Sequence, residues 1–147
     1  MHGATLNFLL AAAIELPDLR SVPADPVVPA ISDDAPSAGK RVRHRLPEYE
    51  STRVYHVLYL PPDWTPQHRF PVIVEYAGNG GYSNRYGDVC TGLPEDSKLG
   101  YGICGGTGFI WVCLPYIDVG RTNICTRWWG DASATADYCR KAVRMIC

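Results

Sequence analysis

The rhythm of apolar and polar positions changes along this chain, and each change marks an element. Val54-Tyr55-His56-Val57-Leu58-Tyr59-Leu60 is dense in β-branched and aromatic residues and predicts a strand. Pro61-Pro62 ends it, because proline brings no N–H to a ladder. Pro71-Val72-Ile73-Val74-Glu75-Tyr76 predicts a second strand, whose near-unbroken apolar run is that of a strand buried on both faces. A glycine-rich loop, Gly78-Asn79-Gly80-Gly81, follows at once, and Tyr82 to Thr107 reads as irregular. Gly108-Phe109-Ile110-Trp111-Val112-Cys113-Leu114 is a third apolar strand, closed by Pro115. Beyond it Asp131 supplies a carboxylate for the free N–H groups of a helix start. The small and apolar residues Ala132, Ala136, Cys139, Val143 and Ile146 recur at three and four, which predicts a helix to Ile146 with that stripe buried. Arg140, Lys141 and Arg144 sit towards its C-terminal end, where positive charge suits the macrodipole.

The first part of the chain is different. Pro17, Pro23, Pro26, Pro29 and Pro36 make residues 17–39 an extended linker, and the run Lys40-Arg41-Val42-Arg43-His44-Arg45 then reads as a solvated charged edge. The division is therefore a flexible, proline-rich segment over residues 1–45 and a folded domain over residues 46–147. The expected fold class is α/β: a partial sheet of about three to four strands with a mostly parallel core, and one long C-terminal helix.

Composition narrows the function classes. The 147 residues carry a formal net charge of -1, which argues against nucleic-acid binding through bulk positive charge and against a polybasic membrane contact. A hydrophobic content of 46% excludes a wholly disordered chain. The longest apolar-leaning stretch, Ala4 to Ile14, is too short to span a bilayer. Its length suits a secretory leader, while the missing basic flank and cleavage site argue the other way. The 6 cysteines, Cys90, Cys104, Cys113, Cys125, Cys139 and Cys147, form no C-x-x-C pair and fit either buried thiols or a disulfide framework. The 4 histidines all precede the first cysteine without ligand spacing, so neither a metal nor a cofactor is expected.

The order of elements also resembles a known pattern. Tyr59-Leu60-Pro61-Pro62-Asp63-Trp64, followed by Phe70-Pro71-Val72-Ile73-Val74-Glu75-Tyr76-Ala77-Gly78-Asn79-Gly80, is similar to the early part of an α/β-hydrolase, especially the secreted esterase and polyester-depolymerase-like members. The resemblance spans roughly residues 50–147. It implies that residues 109–114 form the next strand, beside and parallel to residues 72–76, and that Trp128-Trp129-Gly130-Asp131 opens the helix before the nucleophile strand. It places the oxyanion role on the backbone at Asn79 and Gly80, with Asn79 standing where such loops more often have histidine. Close approach of main chain to a developing oxyanion explains glycine there, and Asn-Gly is equally a common turn pair. Gly78, Gly81, Tyr116 and Trp128 are the expected lining of the substrate pocket. Trp129 is expected to cover the top of the sheet, and Trp64 and Trp111 to pack inside it.

What the resemblance lacks is the attacking group. No serine stands in a G-x-S-x-G turn: Ser83 lies in the glycine-rich region, Ser97 in a polar loop and Ser133 within the helix. The family order puts acid and histidine after the nucleophile, and every histidine here comes too early. The chain thus reads as a fragment of a serine hydrolase, cut off before its triad and inactive alone, with an ester or sugar, small or polymeric, as substrate of the full-length relatives. Without the nucleophile strand, Pro71 to Tyr76 becomes an apolar sheet edge open to self-association. Two other readings fit the same residues: a non-catalytic carbohydrate- or polyester-binding protein using exposed aromatics, and a small disulfide-stabilised secreted domain.

Overall fold

A computed structural model describes Ser21 and residues 26–146. Ala4–Ile14, Pro17, Pro23 and Cys147 lie outside the described residues. Strands β1 (Ile31–Ser32), β2 (Arg41–His44), β3 (His56–Tyr59), β4 (Val72–Tyr76) and β7 (Ile110–Leu114) form a five-stranded sheet in the order β1-β2-β3-β7-β4. β5 (Tyr82–Ser83) and β6 (Val89–Cys90) form a separate antiparallel hairpin. Helices α1 (Leu99–Cys104) and α2 (Ala132–Ile146) complete the element order.

The sheet is mixed rather than mostly parallel. β2 and β7 both run antiparallel to β3, while β4 runs parallel to β7, in a register from Val72↔Ile110 to Tyr76↔Leu114. The expected side-by-side parallel pairing of residues 72–76 and 109–114 is therefore present. The additional strands come from the proline-rich stretch, which supplies β1, and from the basic run, which supplies β2. Arg41 is only 5% exposed: its guanidinium stacks 4.8 Å from the Trp111 ring and donates to the Glu95 and Ser97 carbonyls at 3.0 Å. A cation that finds both an aromatic face and carbonyl oxygens can be buried, so the solvated-edge reading of residues 40–45 is corrected.

Two apolar clusters lie on opposite faces. On one, Leu58, Val112, Leu114 and Val42 pack under Ala134, Tyr138 and Ala142 of α2. On the other, Val57, Tyr59, Trp111 and Cys113 pack with Tyr101 of α1. Strand β7, between β3 and β4, is buried throughout. β4, with an equally apolar sequence, stands at the edge and is only half-buried, which corrects the reading of it as buried on both faces.

The buried stripe of α2 is rotated from the expected one. Ala134, Thr135, Tyr138 and Ala142 are buried, whereas Ala132 and Ala136 are exposed. Tyr138 decides the rotation: its hydroxyl reaches His56 Nδ1 at 2.9 Å inside the core. Asp131 caps the helix as expected, accepting the Ala134 N–H at 2.9 Å. The five described cysteines are free thiols, Cys113 fully buried and the others half-buried. Among the described residues no helix is long and apolar enough to cross a membrane.

Candidate functional site

Because β4 and β7 are parallel, the loops leaving Tyr76 and Leu114 emerge at the same end of the sheet, where open α/β sheets hold their ligands. The first loop is Ala77 to Gly81; the second runs from Pro115 to Asp131. They are tied together by two hydrogen bonds. Gly80 N–H donates to Thr126 O at 2.7 Å, and Trp128 N–H donates to Asn79 Oδ1 at 3.0 Å.

The second loop is braced from within. Asp118 Oδ1 accepts the Thr122 and Asn123 N–H groups at 3.0 and 3.1 Å, which holds its carboxyl below the usual range. Arg121 takes a left-handed φ of 57° and donates to Asp131 Oδ2 from Nε and Nη2, at 3.0 and 2.8 Å. Asp131 N–H closes the loop on Ile117 O at 2.7 Å.

Glycine is required at the loop contacts. A Cβ on Gly80 would lie 2.2 Å from Thr91 O and 2.8 Å from Thr126 O; one on Gly92 would lie 2.3 Å from Thr126 O. Thr126 thus sits between two glycines, and the hairpin β5–β6 is drawn against the same point. The close approach of Gly80 is main chain to main chain within the protein.

Beside this clamp is a cleft of about 200 Å³ lined by Tyr76, Tyr116, Trp128, Gly130, Ala132, Thr135 and Ala136. Two of the expected pocket residues, Tyr116 and Trp128, meet there. Gly78 and Gly81 do not line it: a Cβ on Gly78 would face Cys90 Sγ at 3.4 Å, and Gly81 opens to free space. Tyr76 and Tyr116 stack with centroids 4.9 Å apart at 30°. Burial pushes both phenols above their ordinary pKa; the Tyr76 hydroxyl is also engaged by the Cys139 side chain, which leaves Tyr116 as the neutral O–H donor of the pair. Thr135 is spoken for, since its Oγ1 accepts the Ile117 N–H at 3.0 Å. Trp128 is 60% exposed and Trp129 80%, so Trp129 does not cover the sheet as expected. Trp111 is fully buried and Trp64 packs against the core, as expected.

Sequence reasoning missed Tyr76 and Thr135. Tyr76 ends an apolar strand and reads as core; its signal is position, as the last residue before the glycine loop.

The described histidines are elsewhere. His56 is fully buried against Tyr138, His44 lines a cleft with Trp64 and Met145, and His68 lines another with Arg69 and Phe70. Ser97 is buried, Ser133 exposed on α2 and Ser83 exposed in the hairpin; none of these bonds a histidine. Among the described residues no group of three or more His, Cys, Asp or Glu side chains is placed to hold a metal ion. What the site offers is neutral hydrogen-bond donors, an exposed indole and closely packed backbone. No family model matches the chain, and no curated protein and no solved structure matches it either.

Proposed function

We propose that this chain carries the front half of a serine-hydrolase scaffold acting on carboxylic esters, with an oxyanion-loop region and no triad, and that it does not turn over esters by itself. One observation carries the reading: the parallel pair β4–β7 delivers the loop Gly78–Gly81 from the carboxyl end of β4 to the rim of the Tyr76–Tyr116–Trp128 cleft. A backbone donor aimed at a developing oxyanion is worth roughly 2.7–4 kcal/mol in the transition state. Gly80 N–H is bonded to Thr126 O, so its use on an oxyanion requires that bond to open. Asn79 N–H carries the role without that cost.

A cradle without an attacking hydroxyl leaves little catalysis. Losing the nucleophile from a triad enzyme costs about a million-fold in turnover. Incubation of the purified chain with a fluorophosphonate probe therefore leaves its mass unchanged; stoichiometric labelling of any serine sinks the reading. On this reading an ester or a sugar, small or polymeric, is the substrate of the full-length relatives, and the open edge of β4 is free for self-association.

The exposure of Tyr82, Tyr86, Trp128 and Trp129 favours a second reading, in which an aromatic rim lies on a carbohydrate or polyester surface without cleaving it. Selective retention on insoluble polysaccharide or polyester film, lost in Trp129→Ala, distinguishes this from the first, which expects no retention.

A further inference from the structure

In the order β1-β2-β3-β7-β4, strand β4 ends the sheet with no strand beyond it. Pro71 C=O accepts the Ile110 N–H at 3.0 Å, and that bond fixes which way each β4 residue turns. Within a strand the N–H and C=O of one residue point to the same side, and successive residues alternate. Residues 71, 73 and 75 therefore face β7, while Val72, Val74 and Tyr76 turn their backbone groups outward. No backbone hydrogen bond reaches these groups from another segment of the described residues. Val74 is 40% exposed.

The geometry points to a second copy of this chain as the occupant. Two β4 strands pair antiparallel about a twofold axis at Val74, so that Val74 faces Val74 and Val72 faces Tyr76. Unpaired N–H and C=O groups in a row call for a strand rather than a helix or a small molecule, and this row is complementary to itself. Its outward groups are symmetric about Val74, so each facing pair exchanges both N–H···O bonds. Val72 opposite Tyr76 is a β-branched residue against an aromatic, a favourable cross-strand pair. Glu75 meets Ile73, so no like charges oppose. Its carboxylate is already engaged by the Leu99 and Gly100 N–H groups and by Trp111 Nε1. Residues 72–76 contain neither the lysine nor the proline with which open edges are commonly protected. Pro71 turns towards β7, so its missing N–H takes nothing from the outer edge. The pairing follows from the sheet alone and stands whether or not the chain belongs to an ester-cleaving scaffold.

Sedimentation velocity on the full chain from about one to about a hundred micromolar is expected to show a monomer giving way to a dimer as concentration rises. Over the same series, amide exchange at Val72, Val74 and Tyr76 slows while that of other exposed amides stays constant. Val74→Lys, at an exposed position, abolishes the dimer, and Val119→Lys, on the second loop, leaves it intact. The exchange series on the unaltered chain needs no variant to fold. A monomer at every concentration overturns the inference. So does a dimer in which the β4 amides gain no protection, since another surface then holds it. Protection of these amides in the dilute monomer also overturns it, since the chain then covers its own edge.

Discussion

Glu75 Oε2 lies 2.8 Å from Trp111 Nε1, joining the edge strand β4 to its neighbour β7 across the face that α1 covers. The same oxygen accepts the Gly100 N–H at 2.8 Å, and Oε1 accepts that of Leu99 at 3.2 Å. One carboxylate thus does for α1 what a local cap does for most helices. Helix α1, Leu-Gly-Tyr-Gly-Ile-Cys, needs that support: two glycines make it a poor helix, and no side chain of its own caps it. Gly100 must be glycine because a Cβ there would lie 2.4 Å from the Trp111 ring.

Replacing Glu75 by alanine leaves a buried indole N–H and two helix-end N–H groups without an acceptor. The expected cost is about 2–3 kcal/mol in urea unfolding, with loss of near-ultraviolet circular dichroism from Trp111. Glu75→Gln retains one acceptor oxygen and loses less. Equal losses for the two variants show that the carboxylate contributes only shape.

Gly80 and Gly81 are adjacent but constrained for different reasons. At Gly80 an added Cβ collides with the Thr91 and Thr126 carbonyls; at Gly81 nothing lies within 4 Å, but φ is +81°. Gly80→Ala therefore pushes apart the loops that carry Asn79 and Trp128, costing about 1–3 kcal/mol. Gly81→Ala incurs only left-handed strain, about 1–2 kcal/mol. Amide exchange separates them: the Trp128 N–H, bonded to Asn79 Oδ1 at 3.0 Å, loses protection in Gly80→Ala and keeps it in Gly81→Ala.

Burial pushes the Cys113 thiol up to about 12, against the pull of the Arg41 guanidinium. At pH 8 it is a protonated thiol without access, and the thiolate is the reactive form. Iodoacetamide at that pH is expected to modify Cys113 only after denaturation, as read by peptide mass. Modification in the folded chain at a rate matching half-buried Cys90 shows that the β3–β7–β4 layer opens readily.

The sequence carried the three strongest apolar strands and the capped helix, because each rests on local pattern; the parallel pairing of residues 72–76 with 109–114 was expected from the resemblance and not from that pattern. It did not carry the full strand order, although the edge position of residues 71–76 was expected from the missing nucleophile strand. As apolar runs β4 and β7 read alike, yet one is half-exposed and the other fully buried, a difference that neither run shows in its own pattern. β2 was hidden because arginine counts as surface until a Trp111 face and two carbonyls are brought to it. In the candidate site, Tyr116 and Trp128 were legible as aromatics in the loop after β7. The clamp of Gly80 and Gly92 on Thr126 was not, since it joins three loops far apart in sequence. The same clamp gives the glycine loop a packing role that its composition alone presents as substrate approach.

The His56–Tyr138 pair makes stability depend on pH in a particular window. His56 is fully buried, and burial, with the neighbouring His44 adding to it, lowers its pKa from 6.5 to about 3. The folded state thus refuses a proton that the unfolded chain takes up below pH 6.5. Between those values the unfolded state binds more protons, so stability is fully present above pH 6.5 and falls as pH drops towards 3. Asp118 and Asp131, held low chiefly by the backbone N–H groups of Asn123 and Ala134, lose their contributions only below the ordinary carboxylate value of 3.8. The interval from pH 6 to 4.5 therefore reports the histidines that burial holds neutral, fully buried His56 and half-buried His44, and the urea midpoint is expected to fall across it. His56→Phe fills the site with an apolar ring, and its midpoint is expected to fall less over the same interval, keeping only the share of His44. Tyr138→Phe leaves His56 Nδ1 without its partner, so it lowers stability by about 1–3 kcal/mol at every pH yet keeps the slope. An undiminished slope in His56→Phe assigns the proton to another group and removes His56 from the account.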